Sequence, residues 1–197
     1  KKPYTKVTFK PDYARLKING LTADMINLFK RRVYDIAAIT NKNIKVNYNG
    51  TLVPIKSFQH YVDLYIGSKT ETTRVYEEAN ERWEYVVCLA TKEEFTQVSF
   101  VNGIYTVKGG KHVDYILNQI VRKIVAYIKN KKKIDVKPNT IKEQLMLFVR
   151  CDIENPTFDS QTKDYMNTSI SNFGSSCEVS DKFIEKIAKM GVMEAAC

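Results

Sequence analysis

The sequence predicts an α/β (α+β) domain in which a mixed or mostly antiparallel sheet carries helices packed on one face. Three observations predict this class. Short runs rich in Val, Tyr and Phe at 74–78, 84–90 and 98–102 have the composition of strands. Apolar residues recur at helical spacing from Val113 to Ile128, which gives a four-turn helix one aliphatic face. A further apolar run at 145–153 adds a strand after that helix, so strands and helices alternate in the second half of the chain.

The N-terminal part of the chain predicts a strand and then a helix. Val7-Thr8-Phe9 has strand composition, and the turn Lys10-Pro11-Asp12 stops it because proline lacks the N–H donor that a sheet uses. Thr22 is a suitable N-cap for the helix that follows. The apolar residues of this helix recur at helical spacing: Met25, Leu28, Phe29, Val33, Ile36 and Ala37. We expect this helix to pack on the sheet.

A hairpin and a short helix come next. The dipeptide Asn49-Gly50 separates apolar runs at 44–48 and 52–55, and it readily adopts the positive φ values of a type I′ turn. Residues 57–66 predict a short helix closed by Gly67. The three strands rich in Val, Tyr and Phe then follow and are expected to be antiparallel neighbours. Together with the strands that precede them, they are expected to bring the sheet to about five or six strands, a usual size.

Glycine and proline residues mark where helices and strands begin and end in the second half of the chain. Gly109-Gly110 precede the long aliphatic helix, and Pro138 prevents its simple continuation. The final strand runs directly into a loop at 155–163 that begins with Asn-Pro, a dipeptide that breaks regular structure. A last helix is expected from its N-cap Ser180 to Gly191.

Composition indicates one main globular domain with an anionic partner. A chain of 197 residues with 44% hydrophobic residues can bury one sizeable core, but it is small for two independent domains. Its 31 Lys and Arg against 22 Asp and Glu give a net charge of +9, which suits nucleic acid or nucleotide phosphates. Charge alone is weak ground for a function, because many basic domains bind no nucleic acid. No apolar run approaches the ~20 residues of a membrane-spanning helix, so we expect no membrane partner.

The cysteines and the first residues indicate a piece of an intracellular protein. Cys88, Cys151, Cys177 and Cys197 show no Cys-x-x-Cys spacing, and only two histidines could complete a zinc site. We therefore expect reduced, buried thiols and no metal ligands in this chain. The chain begins without methionine and without a secretory signal, which indicates a fragment excised from a longer protein.

Lys163, at the end of the loop 155–163, is the first candidate functional residue. An ammonium is a compact charge suited to a terminal phosphate oxygen, and Gln161 and Thr162 supply an amide and a hydroxyl for further hydrogen bonds. The plain alternative is an ordinary solvated lysine, since most exposed lysines have no specific task. Loop chemistry alone favours that alternative.

Several segments of the chain carry the motifs of a known family. The segment Ile153 to Lys163 reads IENPTFDSQTK. The other segments cover nearly the whole chain: RRVYDIA at 31–37, RWE at 82–84, QVSFVNGIYTVKGGKHVDYI at 97–116 and FGSSCEVSDKFI at 173–184. Together they resemble the transducer domain of eukaryotic or viral-type DNA topoisomerase II, an ATP-dependent type IIA enzyme. The departures are Gly103 and Tyr105, where the family commonly has serine and alanine.

The resemblance implies a fold and a role for the lysine loop. The fold is the transducer fold of the ribosomal protein S5 domain 2-like class. In that family the Gln-Thr-Lys loop enters the neighbouring ATP site. The resemblance therefore implies that Gln161, Thr162 and Lys163 bind ATP, and that Lys163 senses the γ-phosphate and assists hydrolysis.

The resemblance also implies a place in a larger enzyme. Residues 1–178 would be the transducer domain, which relays ATP binding and hydrolysis to gate closure and DNA strand passage within a homodimer. Residues 179–197 would be the connector helix leading to the DNA-cleavage core. Neither that core nor the N-terminal ATPase domain is expected in this chain, so ATP and Mg²⁺ are expected in the parent enzyme only. The isolated fragment is expected to be inactive and to bind neither. A cellular eukaryotic parent implies the nucleus, and a viral parent the host cytoplasm or nucleus.

The lysine-rich end of the long helix is the second candidate site. Lys129, Lys131, Lys132 and Lys133 lie where the helix dipole favours cations, so helix capping and solubility are a sufficient alternative explanation. In the resembling family a lysine-rich loop at this place faces double-stranded DNA. The cluster contains no aromatic residue, which suits sequence-independent phosphate contact rather than base recognition.

The remaining motifs predict no catalytic centre. Residues 108–112, Lys-Gly-Gly-Lys-His, resemble a phosphate-binding turn but lack the spacing of a Walker A loop, so a tight strand-to-helix turn is the better interpretation. Asp152 and Glu154 could share a face and hold a divalent metal, yet an isolated pair is weak support. The acidic residues Glu77, Glu78, Glu81 and Glu84 are expected to form a solvated edge. His60 and His112 belong to no nucleophilic triad that the spacing supports.

Two other functions are compatible with the residues. A stand-alone module that binds RNA or DNA would use the basic helix end and the sheet, and it would bind with strong salt dependence. A small phosphotransferase is a weaker alternative, because the chain has neither a phosphate loop nor an acidic site that would support one.

Overall fold

The computed structural model describes residues 2–192 and residue 194. A mixed five-stranded sheet forms its centre, with a separate two-stranded hairpin near the N-terminal end. The helices and strands are, in chain order, α1 (Ala23–Ile39), β1 (Asn47–Tyr48), β2 (Thr51–Leu52), α2 (Phe58–Ile66), β3 (Arg74–Asn80), β4 (Trp83–Leu89), β5 (Thr96–Val101), β6 (Ile104–Tyr105), α3 (Lys111–Lys132), α4 (Pro138–Glu143), β7 (Leu145–Cys151) and α5 (Asp181–Ile187). A π-helical segment, Ala188–Val192, continues α5. These elements confirm the expected fold class.

The strand order of the main sheet is β3-β4-β7-β5-β6. β4 pairs antiparallel with both β3 and β7, whereas β5 pairs parallel with β7 and antiparallel with β6. The expectation that β3, β4 and β5 are antiparallel neighbours is therefore wrong for β5. The chain between β5 and β7 contains α3, which is long enough for the crossover that parallel strands need, so β7 can enter between β4 and β5.

One face of the sheet carries the larger core. The aliphatic face of α3 contributes Ile116, Ile120, Ile124 and Ile128, all fully buried. They belong to one cluster with residues of the central strands and of α5: Trp83, Tyr85, Leu147, Val149, Phe183 and Ile187. This is the arrangement that the helical spacing from Val113 to Ile128 predicts, and it makes α3 a well-anchored element.

The other face of the sheet is covered as well, by α1 and α2. Val86, Phe148 and Phe100 form a second core cluster with Phe58 and Tyr61 of α2. The expectation of helices on one face only is therefore incomplete. The reason lies in the central strands, because β4 and β7 are apolar at nearly every position and so require cover on both faces.

A buried polar contact joins the two helices on this second face. Asp35 of α1 is fully buried, and its carboxylate accepts a hydrogen bond from the Tyr61 hydroxyl of α2 at 2.7 Å. Arg32, one turn away, pairs with the other carboxylate oxygen of Asp35 at 3.3 Å. Burial raises the pKa of Tyr61, so its hydroxyl stays protonated and remains a donor. The RRVYDIA segment thus stabilises the packing of α1 on α2.

Local signals correctly predicted the starts of three helices and the turn of the hairpin, although the hairpin strands are only two residues long each. Thr22, Ser57 and Ser180 cap their helices, each accepting a backbone N–H with its hydroxyl oxygen. Asn49 and Gly50 have φ values of 50° and 79°, as the hairpin prediction requires. The signals did not predict the short helix α4, which has Pro138 at its start, or the two-residue strand β6.

The strand expected at 7–9 does not form. Val7 and Phe9 are 83% and 80% exposed, and within the described residues no strand pairs with this segment. Strand composition is insufficient here because a strand also needs a partner for its backbone groups. None of the described helices is both long and apolar enough to cross a membrane.

Candidate functional site

The loop at 155–163 has left-handed backbone at both of its ends. Asn155 has φ 44° and Lys163 has φ 59°. Asparagine adopts this region readily, but for lysine it costs roughly 1–2 kcal/mol. A turn closes the loop, in which the Lys163 N–H donates to the Ser160 carbonyl at 3.0 Å. The conformation of Lys163 is therefore imposed by its surroundings rather than preferred by the residue.

The Lys163 ammonium is available for a ligand. Its Nζ lies 5.6 Å from the centre of the Phe158 ring, which favours a cation without neutralising it. Among the carboxylates of the described residues, none forms an ion pair with Lys163. The adjacent Asp164 pairs instead with Lys108, at 3.7 Å. The Lys163 ammonium is thus fixed in position and forms no ion pair with a described carboxylate.

Gln161 and Thr162 lie beside this charge on the exposed part of the loop. The Thr162 hydroxyl lies 2.9 Å from the Ser160 hydroxyl, a contact that orders the turn. Gln161 and Thr162 are exposed and Lys163 is half-buried, and the amide, hydroxyl and ammonium groups of these consecutive residues can all donate to a phosphate.

The base of the loop is fixed to the start of α3 by backbone hydrogen bonds. Lys108 N–H donates to the Asp164 carbonyl at 2.9 Å, and Lys111 N–H donates to the Met166 carbonyl at 2.9 Å. Between them, Met166 N–H donates to the Gly109 carbonyl at 3.1 Å. These three bonds hold the residues that directly follow Lys163 in one register on the 108–111 turn.

Gly110 makes this close approach possible. It has φ 150°, and a Cβ at this position would meet the Met166 carbonyl group and lie 2.7 Å from the Met166 nitrogen. Only glycine combines this backbone conformation with such a close neighbour. The structural interpretation of the Lys-Gly-Gly-Lys-His turn is supported, because the Met166 carbonyl occupies the first N–H of α3, at Lys111. A phosphate does not have access to that donor.

A buried polar cluster lies beneath this turn. Ser99, Thr106 and His112 are all fully buried, and the hydroxyls of Ser99 and Thr106 lie 2.6 Å apart. The Thr106 hydroxyl is also 3.1 Å from His112 Nε2. Burial lowers the pKa of His112 to about 3, so the imidazole is neutral at physiological pH. Sequence spacing predicted no role for His112. Gly109 and Gly110, which indicate a tightly packed turn directly before it, were the signal that could have pointed to its burial.

The neutral state of His112 makes the stability of the chain pH-dependent. The folded pKa of about 3 lies below the unfolded value of 6.5, so the unfolded chain takes up this proton first as the pH falls. The stability contribution is complete above pH 6.5 and is lost towards pH 3, at up to about 1.4 kcal/mol per pH unit. Urea unfolding of the wild type and of His112→Gln between pH 7 and pH 4 measures it. We expect a shallower fall in the variant, and equal slopes would contradict this assignment.

The four lysines at the end of α3 are not equivalent. Lys129 pairs with Asp135 at 2.8 Å, and this contact raises the pKa of Lys129. Lys133 ends the helix with φ 61°, and its N–H donates to the Lys129 carbonyl. Lys131, Lys132 and Lys133 are exposed. Three of the four candidate DNA-binding residues therefore present charges at this end that no described carboxylate pairs with.

The two candidate sites lie at opposite ends of one helix. The lysine loop contacts the N-terminal end of α3, and the exposed lysines extend its C-terminal end. The 21 residue steps from Lys111 to Lys132 at a rise of 1.5 Å separate these ends by about 32 Å. A single helix thus connects the candidate phosphate site with the candidate DNA site.

The acidic edge that was expected is only partly solvated, because Glu78 and Glu81 are exposed whereas Glu77 and Glu84 are partly buried. Glu77 accepts hydrogen bonds from the Tyr85 hydroxyl and from the hydroxyl and N–H of Ser180, which joins the sheet to the start of α5. Glu84 is largely buried and lies 3.7 Å from Arg150, while burial raises its pKa. Cross-strand neighbours bring these groups together, and the sequence spacing alone does not reveal such pairing.

No metal centre is assembled from the described residues. Within residues 2–192 and 194, no three His, Cys, Asp or Glu side chains are grouped to hold a metal ion. Glu154 pairs with Arg82 at 3.2 Å, which disfavours the metal pair considered for Asp152 and Glu154. The residues present therefore do not fit a Mg²⁺ site.

The described cysteines are buried free thiols. Burial raises the pKa of Cys88 and of Cys177 to about 11 and holds the pKa of Cys151 well above its ordinary value, so none is a reactive thiolate. Cys197 lies outside the described residues.

Comparison with known proteins identifies the relatives of this chain. The family model described as DNA gyrase B matches residues 57–195. The chain is 47% identical over 200 aligned residues to DNA topoisomerase 2-alpha of Gallus gallus, and 47% identical over 199 residues to DNA topoisomerase 2 of Arabidopsis thaliana. These alignments cover 98% and 97% of the chain but only 13% of each relative. The chain therefore spans about one eighth of the length of these proteins.

A solved structure agrees with these relatives. The ATPase region of Saccharomyces cerevisiae topoisomerase II superimposes with a TM-score of 0.85 and 40% sequence identity. The superposition covers 95% of this chain and 47% of that structure. The mixed sheet with its long helix and anchored loop is thus a region of the ATPase–transducer class found in eukaryotic type II topoisomerases. The chain belongs to the DNA gyrase B family.

Proposed function

We propose that this chain is the transducer portion of an ATP-dependent type II DNA topoisomerase. In that role it relays ATP binding and hydrolysis in an adjacent ATPase domain to gate closure and DNA strand passage. One observation carries the proposal. Lys163 forms no ion pair with a described carboxylate, and the residues that follow it are hydrogen-bonded to the start of a 22-residue helix. The other end of that helix carries exposed lysines. The names of the relatives, DNA topoisomerase 2, agree with this function.

Lys163 would sense the γ-phosphate of ATP bound to the adjacent domain. Its ammonium would neutralise charge on the terminal phosphate, and Gln161 and Thr162 would add hydrogen bonds. ADP lacks that phosphate, so the contact distinguishes the two nucleotides. The state of the loop would pass to α3 through the hydrogen bonds at Gly109 and Lys111.

Hydrogen exchange of the full-length protein tests this role. A non-hydrolysable ATP analogue is expected to slow exchange at the amides of residues 160–168, whereas ADP is expected to leave them near the rate of the nucleotide-free protein. The turn at 49–50, distant in sequence, serves as an internal control. Equal protection by ADP and by the analogue would show that the loop does not report the γ-phosphate.

The division of the chain follows the same proposal. Residues 1–178 would form the transducer, and 179–197 would form the connector helix to the DNA-cleavage core. Ser180 supports a boundary here because it caps α5, which is followed by the π-helical segment Ala188–Val192. Residues 193 and 195–197 lie outside the described residues. The parent would be a homodimer inside the cell that uses ATP with Mg²⁺, and the isolated chain would have no turnover of its own.

The exposed lysines at the end of α3 would contact DNA phosphates. Replacing Lys131, Lys132 and Lys133 with glutamine is expected to weaken DNA binding by the parent enzyme equally for all sequences. The slope of log K against log salt should fall by roughly 0.9 for each phosphate that the variant no longer neutralises. Lys69, Lys92 and Lys182, exposed elsewhere, provide a control triple variant of equal charge. An unchanged slope in the Lys131–Lys133 variant would exclude these residues from the DNA contact.

The same exposed charges favour one second candidate function, a stand-alone nucleic-acid-binding module. The net charge of +9 and the exposed helix end support it. Salt-dependent DNA or RNA binding by the 197-residue chain alone, at an affinity equal to that of the full-length protein, would favour the module over the transducer.

A further inference from the structure

His112 is a polar residue in a fully buried position, which calls for a specific reason. The imidazole is fully buried next to the apolar core, where a polar ring costs free energy unless it makes a specific bond. Its Nδ1 has no hydrogen-bond partner among the described residues, so its polar contact is the one from Nε2 to the Thr106 hydroxyl. A phenylalanine would fill similar space without that cost. The contact with Thr106 is therefore the feature that distinguishes histidine at this position.

Thr106 fixes both ends of the turn that precedes α3. Its carbonyl accepts the N–H of Gly109 at 3.0 Å, and its hydroxyl contacts His112 at 3.1 Å. Thr106 is itself fixed to β5, because its N–H and the Ser99 carbonyl are 2.9 Å apart and the two hydroxyls are 2.6 Å apart. The turn from 106 to 112 is thus tied to the sheet at its start, at Gly109 and at its end.

The fixed turn is also the surface on which the lysine loop lies. Lys108, Gly109 and Lys111 make all three backbone bonds to Asp164 and Met166. Gly110 lies close against Met166, because a Cβ at Gly110 would stand only 2.7 Å from the Met166 nitrogen. A shift of the turn therefore shifts Asp164, and Lys163 is covalently joined to it.

We infer that His112 is a positioning residue for Lys163, acting through the Thr106 contact and the hydrogen bonds between the 108–111 turn and residues 164–166. This inference rests on the proposed function of Lys163. His112 does not touch the nucleotide; it holds the turn that sets where the ammonium stands. A misplacement of about 1 Å at a reacting group can cost on the order of 100-fold in rate, so a small relaxation of the turn is sufficient for a measurable effect.

A double-mutant cycle in the full-length enzyme tests the inference. His112→Phe keeps the ring volume and removes the contact, and it is expected to lower kcat for ATP by about 10- to 100-fold. KM for ATP should change less than about threefold, since the adjacent domain would hold the rest of the nucleotide. His112→Gln, whose longer side chain places an amide near the position of Nε2 and can bond to Thr106, should restore part of the rate. His60→Phe, on the exposed side of α2, is the matched control and should be unchanged.

The decisive comparison is His112→Phe in a Lys163→Ala background. If His112 acts through Lys163, the substitution His112→Phe should lower kcat in the Lys163→Ala background by less than about twofold, because the ammonium that His112 positions is already absent. The same fold loss in both backgrounds would show a general structural role and overturn the inference. Unchanged turnover in the single variant would also overturn it.

The same set of variant enzymes distinguishes failure of the proposed role of Lys163 from failure of the inference about His112. Normal turnover in Lys163→Ala alone would overturn the proposed function and this inference with it. If His112→Phe does not fold, Thr106→Val removes the same contact from the other side with a nearly isosteric residue, and the cycle is run with that variant. Additive losses for Thr106→Val and Lys163→Ala would then overturn the inference while leaving the role of Lys163 intact.

Discussion

Lys163→Ala is expected to lower ATP turnover of the full-length enzyme by about 100- to 1,000-fold, the usual loss when one charge-stabilising donor is removed from a reacting centre. The ammonium of Lys163 pairs with none of the described carboxylates, and its backbone is held by the Ser160 turn and the Gly109–Met166 contact. The charge is therefore preorganised for a phosphate. Steady-state turnover at saturating ATP measures the effect.

Two control variants separate charge from structure. Lys163→Arg keeps a cation on the same backbone and should retain more turnover than alanine, although the planar guanidinium does not reproduce a point charge. Lys92→Ala removes an exposed lysine from the turn between β4 and β5 and should have no effect. Equal turnover in Lys163→Ala and Lys92→Ala would show that Lys163 is an ordinary surface lysine.

Gly110→Ala is expected to be the most disruptive single substitution on the path from the loop to α3. The added Cβ would meet the carbonyl group of Met166, which is backbone and cannot rotate away, and the φ of 150° is unfavourable for alanine. Strain and overpacking together should lower the free energy of unfolding by about 2–5 kcal/mol. Urea denaturation of the 197-residue chain, monitored through the buried Trp83, provides the measurement.

Gly174→Ala is the matched comparison. Gly174 has φ 69°, and a Cβ there would meet the side chain of Glu154. That side chain is 58% exposed and can rotate, at the cost of its ion pair with Arg82. Such a surface pair contributes at most about 1 kcal/mol, so Gly174→Ala should be clearly milder than Gly110→Ala. Equal losses of stability for the two variants would contradict the importance of the Gly110–Met166 approach.

Local sequence signals predicted the elements that depend on neighbouring residues. The spacing from Val113 to Ile128 predicted α3, and the hydroxyl caps predicted the starts of α1, α2 and α5. Each of these depends on residues within one or two helical turns. The fold class followed from their order along the chain.

Contacts between distant residues were not predictable in this way. The insertion of β7 between β4 and β5 depends on a crossover, and composition does not specify which strand becomes the neighbour. The roles of Gly110 and His112 depend on Met166 and Thr106, and the 56-residue separation of Gly110 from Met166 is beyond any periodic pattern. The two-sided burial of β4 could have been predicted from its nearly continuous apolar run.

For the candidate site too, some features were identified from the sequence and others only from the structure. The Gln-Thr-Lys loop was identified through the resemblance, since loop chemistry alone favoured a solvated lysine. The structure added the reason that this lysine differs from others: Asp164, its nearest acidic neighbour in sequence, is paired with Lys108 and leaves Lys163 free of it. It also showed that Lys129 is already paired with Asp135, which a run of lysines does not reveal.

Gate closure of the full-length enzyme on a non-hydrolysable ATP analogue, with and without Lys163→Ala, tests the central claim most directly. Closure is measured as trapping of a closed circular DNA within the proposed protein dimer. We predict analogue-dependent closure by the wild type and its loss in Lys163→Ala, with analogue still bound by the variant. Closure of equal extent and rate in both proteins would contradict the claim, because the loop would then be structural and the nucleic-acid-binding module would become the better explanation of this chain.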